Sequence, residues 1–273
     1  MLHDIDLVGK IGSMALIRPE DYDIDYNILS RICAELRPGM VWVTSGATEI
    51  GRLDHIKRTG RELPPGDDAK TDYASQGQAI LMANYRQFLP PEYGLRQLLV
   101  EHQHFNDPEK REHIRRLLLR AAEQRTVPVV NYNDPVSDEE NRKMELAALR
   151  EAGQGTHECV DNDETAAVLA ELVRARTLLI LTSTEGIYLD PKDPATLVTE
   201  VTASSAEALE EKIRVLQTHC HGTSRAGSGG AYAKLEYVLG AARNGTTVRI
   251  SHARHRISDI LADKVPHTRI GLG

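Results

Sequence analysis

Three stretches in the middle of the chain decide how it folds: VPVVNYNDPVS (127–137), VDNDETAAVLAEL (160–172) and LLILTSTEGIY (178–188). The first and third hold short runs of Val, Ile and Leu, the pattern of parallel strands buried on both faces. The second is rich in Ala and Leu, opens on a carboxylate and an amide, and reads as the helix between them. Polar residues gather where these elements end: Asn131, Asn133 and Asp134 after one strand, Asp161, Asn162 and Asp163 at the helix start. In an open α/β sheet the carboxyl ends of strands and the adjoining helix starts line the ligand crevice. The pattern therefore predicts an α/β protein with an enzyme-like site in this region.

Toward the N-terminus, Ile5–Val8 reads as a strand and runs into GKIGS (9–13). Glycines beside a lysine let backbone N–H groups approach an anion while the ammonium neutralises it. The spacing is not that of a Walker loop, and on its own Lys10 reads as a surface lysine in a turn. Ile28–Leu36 forms a helix stopped by Arg37-Pro38-Gly39. Met40–Val43 is the next strand, followed by TSGATEIG (44–51). Small hydroxyl residues and glycine at a strand-to-helix turn suit a carboxylate or phosphate at the helix N-terminus; they suit an ordinary capped helix equally well. Arg58–Asp72, polar and with adjacent prolines, reads as a loop. A helix over Gln76–Phe88, a strand at Leu95–Val100 and a helix opened by Asn106-Asp107-Pro108 complete this half. In that last helix Ile114, Leu117, Leu118 and Ala121 form the buried stripe.

Toward the C-terminus, Ser137–Gly155 is a charged insert with a helix at Glu139–Arg150, readable as a lid, a specificity loop or a spectator. Thr177–Leu181 is a central strand and Ala206–Leu216 a helix. GTSRAGSGGAYAKLE (222–236) is a Gly/Ser-rich loop leading into a helix with Lys234 on its first turn, a plausible phosphate clamp. Thr247–Ser251 gives a last strand and Ile257–Ala262 a last short helix. His219-Cys220-His221 has no matching ligand cluster nearby, so it reads as no metal site; His252 and His255 are read the same way.

Composition narrows the class. The 273 residues can bury ample core. A formal net charge of −7 argues against general nucleic-acid or membrane-surface binding. Three scattered cysteines, Cys33, Cys159 and Cys220, are no disulfide framework and predict a reducing compartment. No apolar run approaches a membrane span. The opening MLHDIDL carries acids where an export signal needs basic residues. The expectation is a globular protein of the cytoplasm.

Read in order, KIGS (10–13), VTSGATEIG (43–51), GQAILMANY (77–85), VPVVNYNDPV (127–136), DNDETAAVLA (161–170), LLILTSTEGIY (178–188) and GSGGAYAKLE (227–236) resemble the amino-acid kinase family. The resemblance runs from Asp4 to about Asp259 and is nearest to the members that phosphorylate L-glutamate in the first step of proline synthesis. It implies a three-layer α/β/α fold with a mostly parallel central sheet. It also implies one domain over residues 1–273, with the amino-acid side in about 1–170 and the nucleotide side in about 171–273. The implied reaction transfers the γ-phosphoryl group of ATP, with Mg²⁺ carried by the nucleotide and no metal ligands from the protein.

By the same resemblance Lys10 and Lys234 contact the transferring group and Asp163 holds both lysines. Ser45, Gly46, Asp134 and Asn162 bind the amino acid. Gly12, Ser13, Gly46, Gly229 and Gly230 bring backbone donors to substrate or phosphates, and Thr182, Ser183 and Gly186 border the nucleotide. A homo-oligomer, dimer or tetramer, is expected on this ground alone, as is the lack of the PUA domain that many bacterial members carry at the C-terminus. The chain departs from the family at Met14 (usually a small hydroxyl residue), at Ser183 (usually Asp), at GSGGAYAK for GTGGMxTK, and in the length of 137–160.

The residue types suit this chemistry. A carboxylate acceptor is ionised near pH 7 and requires no general base. Two lysines, Mg²⁺ and glycine N–H groups can supply alignment and charge compensation. Asp163 at a helix start is favoured as the anion. A fragile acyl phosphate product calls for a site that excludes water. Two other readings stay open: a sister kinase of a related carboxylate, suited by the insert and Ser183, and a non-catalytic sensor, which would have no need of Lys10, Asp163 and Lys234 together.

Overall fold

The computed structural model describes residues 3–18, 20–137, 139–153, 155–220 and 230–273. Eight strands make one sheet: β1 (Ile5–Ile11), β2 (Met40–Thr44), β3 (Gly94–Val100), β4 (Thr126–Tyr132), β5 (Ala175–Thr182), β6 (Glu200–Ala203), β7 (Thr247–His252) and β8 (Thr268–Leu272). Their spatial order is β6-β8-β7-β5-β1-β2-β4-β3. From β7 to β3 every pairing is parallel; β8 runs antiparallel to β7 and carries β6 parallel beside it. The register levels Ile11 of β1 with Thr44 of β2 and Leu181 of β5, so the C-terminal ends of the central strands form one edge.

Strand alternation sorts the side chains to two faces. Val8, Val41, Val43, Val130, Leu178 and Ile180 point to one face. The helices α4 (Pro108–Glu123), α6 (Asn162–Leu172), α7 (Ala206–Gln217) and α8 (Gly230–Arg243) pack there. Leu7, Ile11, Met40, Trp42, Leu179 and Leu181 point to the other, under α1 (Tyr26–Glu35), α2 (Ala47–Thr59), α3 (Asp67–Phe88) and α9 (Ile257–Leu261). The result is the expected three-layer α/β/α arrangement. The insert contributes α5 (Glu139–Glu151). Among the described residues no helix is long and apolar enough to cross a membrane.

Two devices set the second layer against the sheet. Trp42 Nε1 donates to the Tyr85 hydroxyl at 3.0 Å, which donates to Thr44 Oγ1 at 2.8 Å. The chain of donors satisfies three buried polar groups between β2 and α3. Helices α2 and α3 cross where glycine meets glycine: a Cβ on Gly51 would lie 1.9 Å from the Tyr73 carbonyl oxygen, and one on Gly77 1.8 Å from that of Ala47. Backbone touches backbone there, and Ala47 is the first residue of the helix that leaves the edge of the sheet.

The structure departs from the sequence reading in several places. Lys10 is not in a surface turn: β1 continues through Ile11 because Lys10 has a parallel partner on both sides, Val43 and Ile180. Residues 58–72 are mostly helical. The α2 helix runs to Thr59 and α3 opens at Asp67, its first-turn Asp67 and Asp68 suiting the positive helix end. The described part of α8 begins at Gly230, so Lys234 lies past its first turn. Strands β6 and β8 fall in segments that the sequence reading left without structure. Residues 222–229 of the glycine-rich loop, with Gly229, and His221 of the His-Cys-His triplet lie outside the described residues.

Gly77→Ala tests the helix crossing. In an ordinary helix interior this change stabilises by about 1 kcal/mol. Here the methyl group meets a backbone carbonyl, and a loss of about 1–3 kcal/mol is expected from overpacking. Thermal unfolding gives the sign: a melting temperature lowered by several degrees fits the crossing, and a raised one contradicts it.

Candidate active site

The edge formed by the C-terminal ends of β1, β2, β4 and β5 gathers most of the residues singled out from sequence. Lys10 shares the alternation of Val8, so its side chain goes to the face covered by α6 and α8. There Asp163, only 1% exposed, sits on the first turn of α6. Lys10 Nζ lies 2.5 Å from Asp163 Oδ1, and Lys234 Nζ, arriving from α8, lies 2.8 Å from Oδ2. Burial alone would raise the Asp163 pKa, but the two ammonium groups outweigh it and hold the carboxyl below its ordinary 3.8. Neighbouring Asp161 caps the same helix, accepting from the Asp163 N–H at 2.9 Å. Its pKa is shifted upward, first by burial and then by repulsion from Asp163.

A second polar chain runs beside this trio. Asn162 Nδ2 donates to Ser45 Oγ at 2.9 Å and to Asn131 Oδ1 at 3.1 Å. Asn131 Nδ2 donates in turn to Gln78 Oε1 at 2.8 Å. Two atoms of the chain, Asn162 Oδ1 and Gln78 Nε2, are buried without a partner, a cost that a bound polar ligand could relieve. Ser45 leads into Gly46, whose φ of +101 is a left-handed turn that favours glycine. Asp134 opens the short turn after β4; burial pushes its carboxyl up to about 6, with Arg142 pulling the other way.

The glycines divide by use. Gly12 N–H is already donated to Leu181 O at 3.1 Å. A Cβ at Gly12 would lie 3.7 Å from Lys10 Nζ, so glycine keeps space clear beside the ammonium. Ser13 begins the turn that follows, and Gly230 begins the described part of α8. On the β5 side Thr182 Oγ1 accepts from the Thr184 N–H at 2.9 Å, Ser183 is exposed, and Gly186 packs closely. A Cβ on Gly186 would fall 2.4 Å from Thr268 Oγ1, so packing against β8 accounts for that glycine. Sequence reasoning placed Asn131 among the polar residues of the expected crevice without giving it a role, and did not select Gln78 or Arg142. The available signal was an amide on the buried face of an otherwise apolar strand or helix.

Comparison with known proteins gives matches over nearly the whole chain. A family model described as "Amino acid kinase family" matches residues 7–252. The glutamate 5-kinase of Bifidobacterium animalis subsp. lactis is 30% identical over 268 residues, taking in 95% of this chain and 64% of that protein. The glutamate 5-kinase of Gloeobacter violaceus is 32% identical over 283 residues, with 98% and 69% covered. The chain therefore spans less than two thirds of the first relative's length. Among solved structures, carbamate kinase from Giardia lamblia superposes with a TM-score of 0.61 at 14% identity, over 98% of each chain. An isopentenyl phosphate kinase gives 0.54 at 15% identity, over 98% of this chain and 99% of that one. These structural likenesses concern the fold.

Asp163→Asn should be costly. It leaves the buried ammonium of Lys10 and the half-buried one of Lys234 without their counter-charge, and a loss of about 3–5 kcal/mol is expected. Because the folded-state pKa of Asp163 lies below its ordinary 3.8, the contribution is present above that pH and lost as pH falls through the folded pKa. Denaturant titrations of both proteins should therefore differ most near neutrality and converge below about pH 4. An equal gap at every pH would contradict the assignment.

Proposed function

This chain belongs to the amino acid kinase family, and from that premise we propose that it is an ATP-dependent carboxylate kinase acting on the γ-carboxylate of L-glutamate. The observation that carries the reading is one buried carboxylate, Asp163, holding a lysine ammonium on each oxygen at the ligand edge of the sheet. Two ammonium groups against one carboxylate leave positive charge where a phosphoryl group would be accommodated. The names of the relatives support glutamate as acceptor; proline synthesis as the setting rests on the resemblance of the sequence motifs.

In the proposed reaction an oxygen of the acceptor carboxylate attacks the γ-phosphorus of ATP. The new P–O bond forms as the bond to the bridging oxygen breaks, and the electron pair leaves on ADP. Lys10 and Lys234 balance the charge on the transferred group, and Asp163 keeps their Nζ atoms apart and aimed. Ser45 and Asn162 hold the acceptor, with Gly46 giving the turn that presents Ser45. Asp134 takes the ammonium of the amino acid. Ser13, Gly229 and Gly230 border the phosphates; Thr182, Ser183 and Gly186 border the nucleotide. Mg²⁺ would supply further charge compensation on the nucleotide's phosphates. Among the described residues no group of three or more His, Cys, Asp or Glu is gathered for an ion. A related carboxylate as acceptor is the second reading, favoured by the insert helix α5, whose Arg142 faces the amino-acid side.

Hydroxylamine trapping tests the reaction. With Mg-ATP, purified protein should form hydroxamate from L-glutamate but not from L-aspartate or N-acetyl-L-glutamate. Lys10→Ala or Lys234→Ala should each lower kcat at least about 100-fold while the fold, read by circular dichroism, persists. Turnover with another acid alone would move the substrate, and full activity in either variant would overturn the site.

Protonated Asp134 is neutral and cannot pair with an ammonium. Its pKa of about 6 therefore predicts that kcat/KM for L-glutamate falls as pH drops below that value. Asp134→Asn should raise KM and flatten this limb of the pH profile.

A further inference from the structure

The insert brings one more cation to the amino-acid side, and the chemistry above leaves it without a role. Arg142 stands on α5 with Nη1 donating to Ser137 Oγ at 3.3 Å; Ser137 Oγ is in turn 2.9 Å from the Tyr132 hydroxyl. Both anchors flank Asp134 in sequence, so they set the guanidinium beside the turn that carries the carboxylate. The two charges act on each other through space with no hydrogen bond between them. Arg142 Nε is buried and donates to nothing, so part of its planar donor fork is uncommitted. On its own helix, Glu139 is paired with Lys143 and Glu145 with His102.

A carboxylate and a guanidinium held at one turn with no hydrogen bond between them form the complement of a zwitterion. An α-amino acid carries its ammonium and its α-carboxylate on one carbon, and the guanidinium fork matches a carboxylate through two parallel hydrogen bonds. We propose that Arg142 is a specificity determinant that binds the α-carboxylate of the acceptor amino acid, opposite Asp134 on its ammonium; this rests on the kinase reading above. The side-chain carboxylate is then directed toward Ser45, Asn162 and the lysines. Asp134 by itself would accept any amine with a carboxylate at suitable reach, whereas the pair selects amino acids.

The test compares L-glutamate with 4-aminobutyrate, which keeps the ammonium and the reacting carboxylate but lacks the α-carboxylate. Wild-type protein should favour L-glutamate by about 10- to 100-fold in kcat/KM, the range for a hydrogen bond between charged groups. In Arg142→Gln that preference should collapse toward one, through KM and not kcat, and Arg142→Lys should recover part of it. A preference kept in Arg142→Gln, or an equal loss with both acceptors, would overturn the proposal. Thermal shift without nucleotide separates this inference from the kinase reading. If neither acid forms hydroxamate but L-glutamate stabilises wild type and not Arg142→Gln, Arg142 keeps its role and the kinase reading falls. If L-glutamate stabilises neither protein, the assignment of Arg142 falls.

Discussion

A carboxylate sealed from water is tolerable only if something of opposite charge reaches it, and everything around the active edge depends on how that requirement is met at Asp163. Desolvation costs several kcal/mol per ion, and Lys10 and Lys234 each take one oxygen to offset it. The three groups come from the middle strand of the sheet and from two helices packed on one of its faces. Asp163 is held in its buried place by the two lysines, so correct packing of α6 and α8 on β1 is a condition for the ions and also their product. Two ammonium groups contact the Asp163 carboxylate, with Asp161 as a second acid close by. Stabilisation of the fold comes from this contact, and in the proposed reaction the same contact aims the two ammonium groups.

Most of the sheet was legible in the chain because its strands are apolar on both faces and its helices show the matching periodicity. The exceptions have physical causes. Lys10 looked like a turn residue because a charge inside a central strand makes sense only once its distant partner Asp163 is known. The start of α3 was hidden by Pro64 and Pro65 just before it, which read as a longer break. Strands β6 and β8 are short and lie at the side of the sheet where direction reverses, so no long apolar run marked them. Glycines were the most ambiguous. Gly51, inside the motif that suggested a ligand turn, is needed together with Gly77 by the crossing of α2 and α3, and Gly186 by its neighbour Thr268. Gly46 does stand at a turn of the active edge. Sequence spacing cannot separate these uses, because both require only that a side chain be missing.

The insert proves to be tied into the architecture. His102 Nε2 meets Glu145 of α5 at 2.7 Å, and Arg150 Nη2 meets Glu158 at 2.7 Å. Asn106 clasps the backbone of His157 through both its amide atoms, at 2.8 and 2.9 Å. The Glu164 carboxylate accepts from the N–H groups of Glu158 and Cys159, which fixes the return of the chain into the helix that bears Asp163. The segment is thus fastened at both ends to the rest of the fold.

The donor chain that seats α3 on β2 also has an optical consequence. Trp42 is the sole tryptophan of the protein, its ring has no exposed surface, and its N–H is bound to Tyr85. Its fluorescence therefore comes from a single dry site on the strand that delivers Ser45 to the active edge. The emission of the folded protein should be that of an indole shielded from water, and a red shift marks the loss of this layer. The molecule thus carries a built-in probe of its own core, uncomplicated by any second indole.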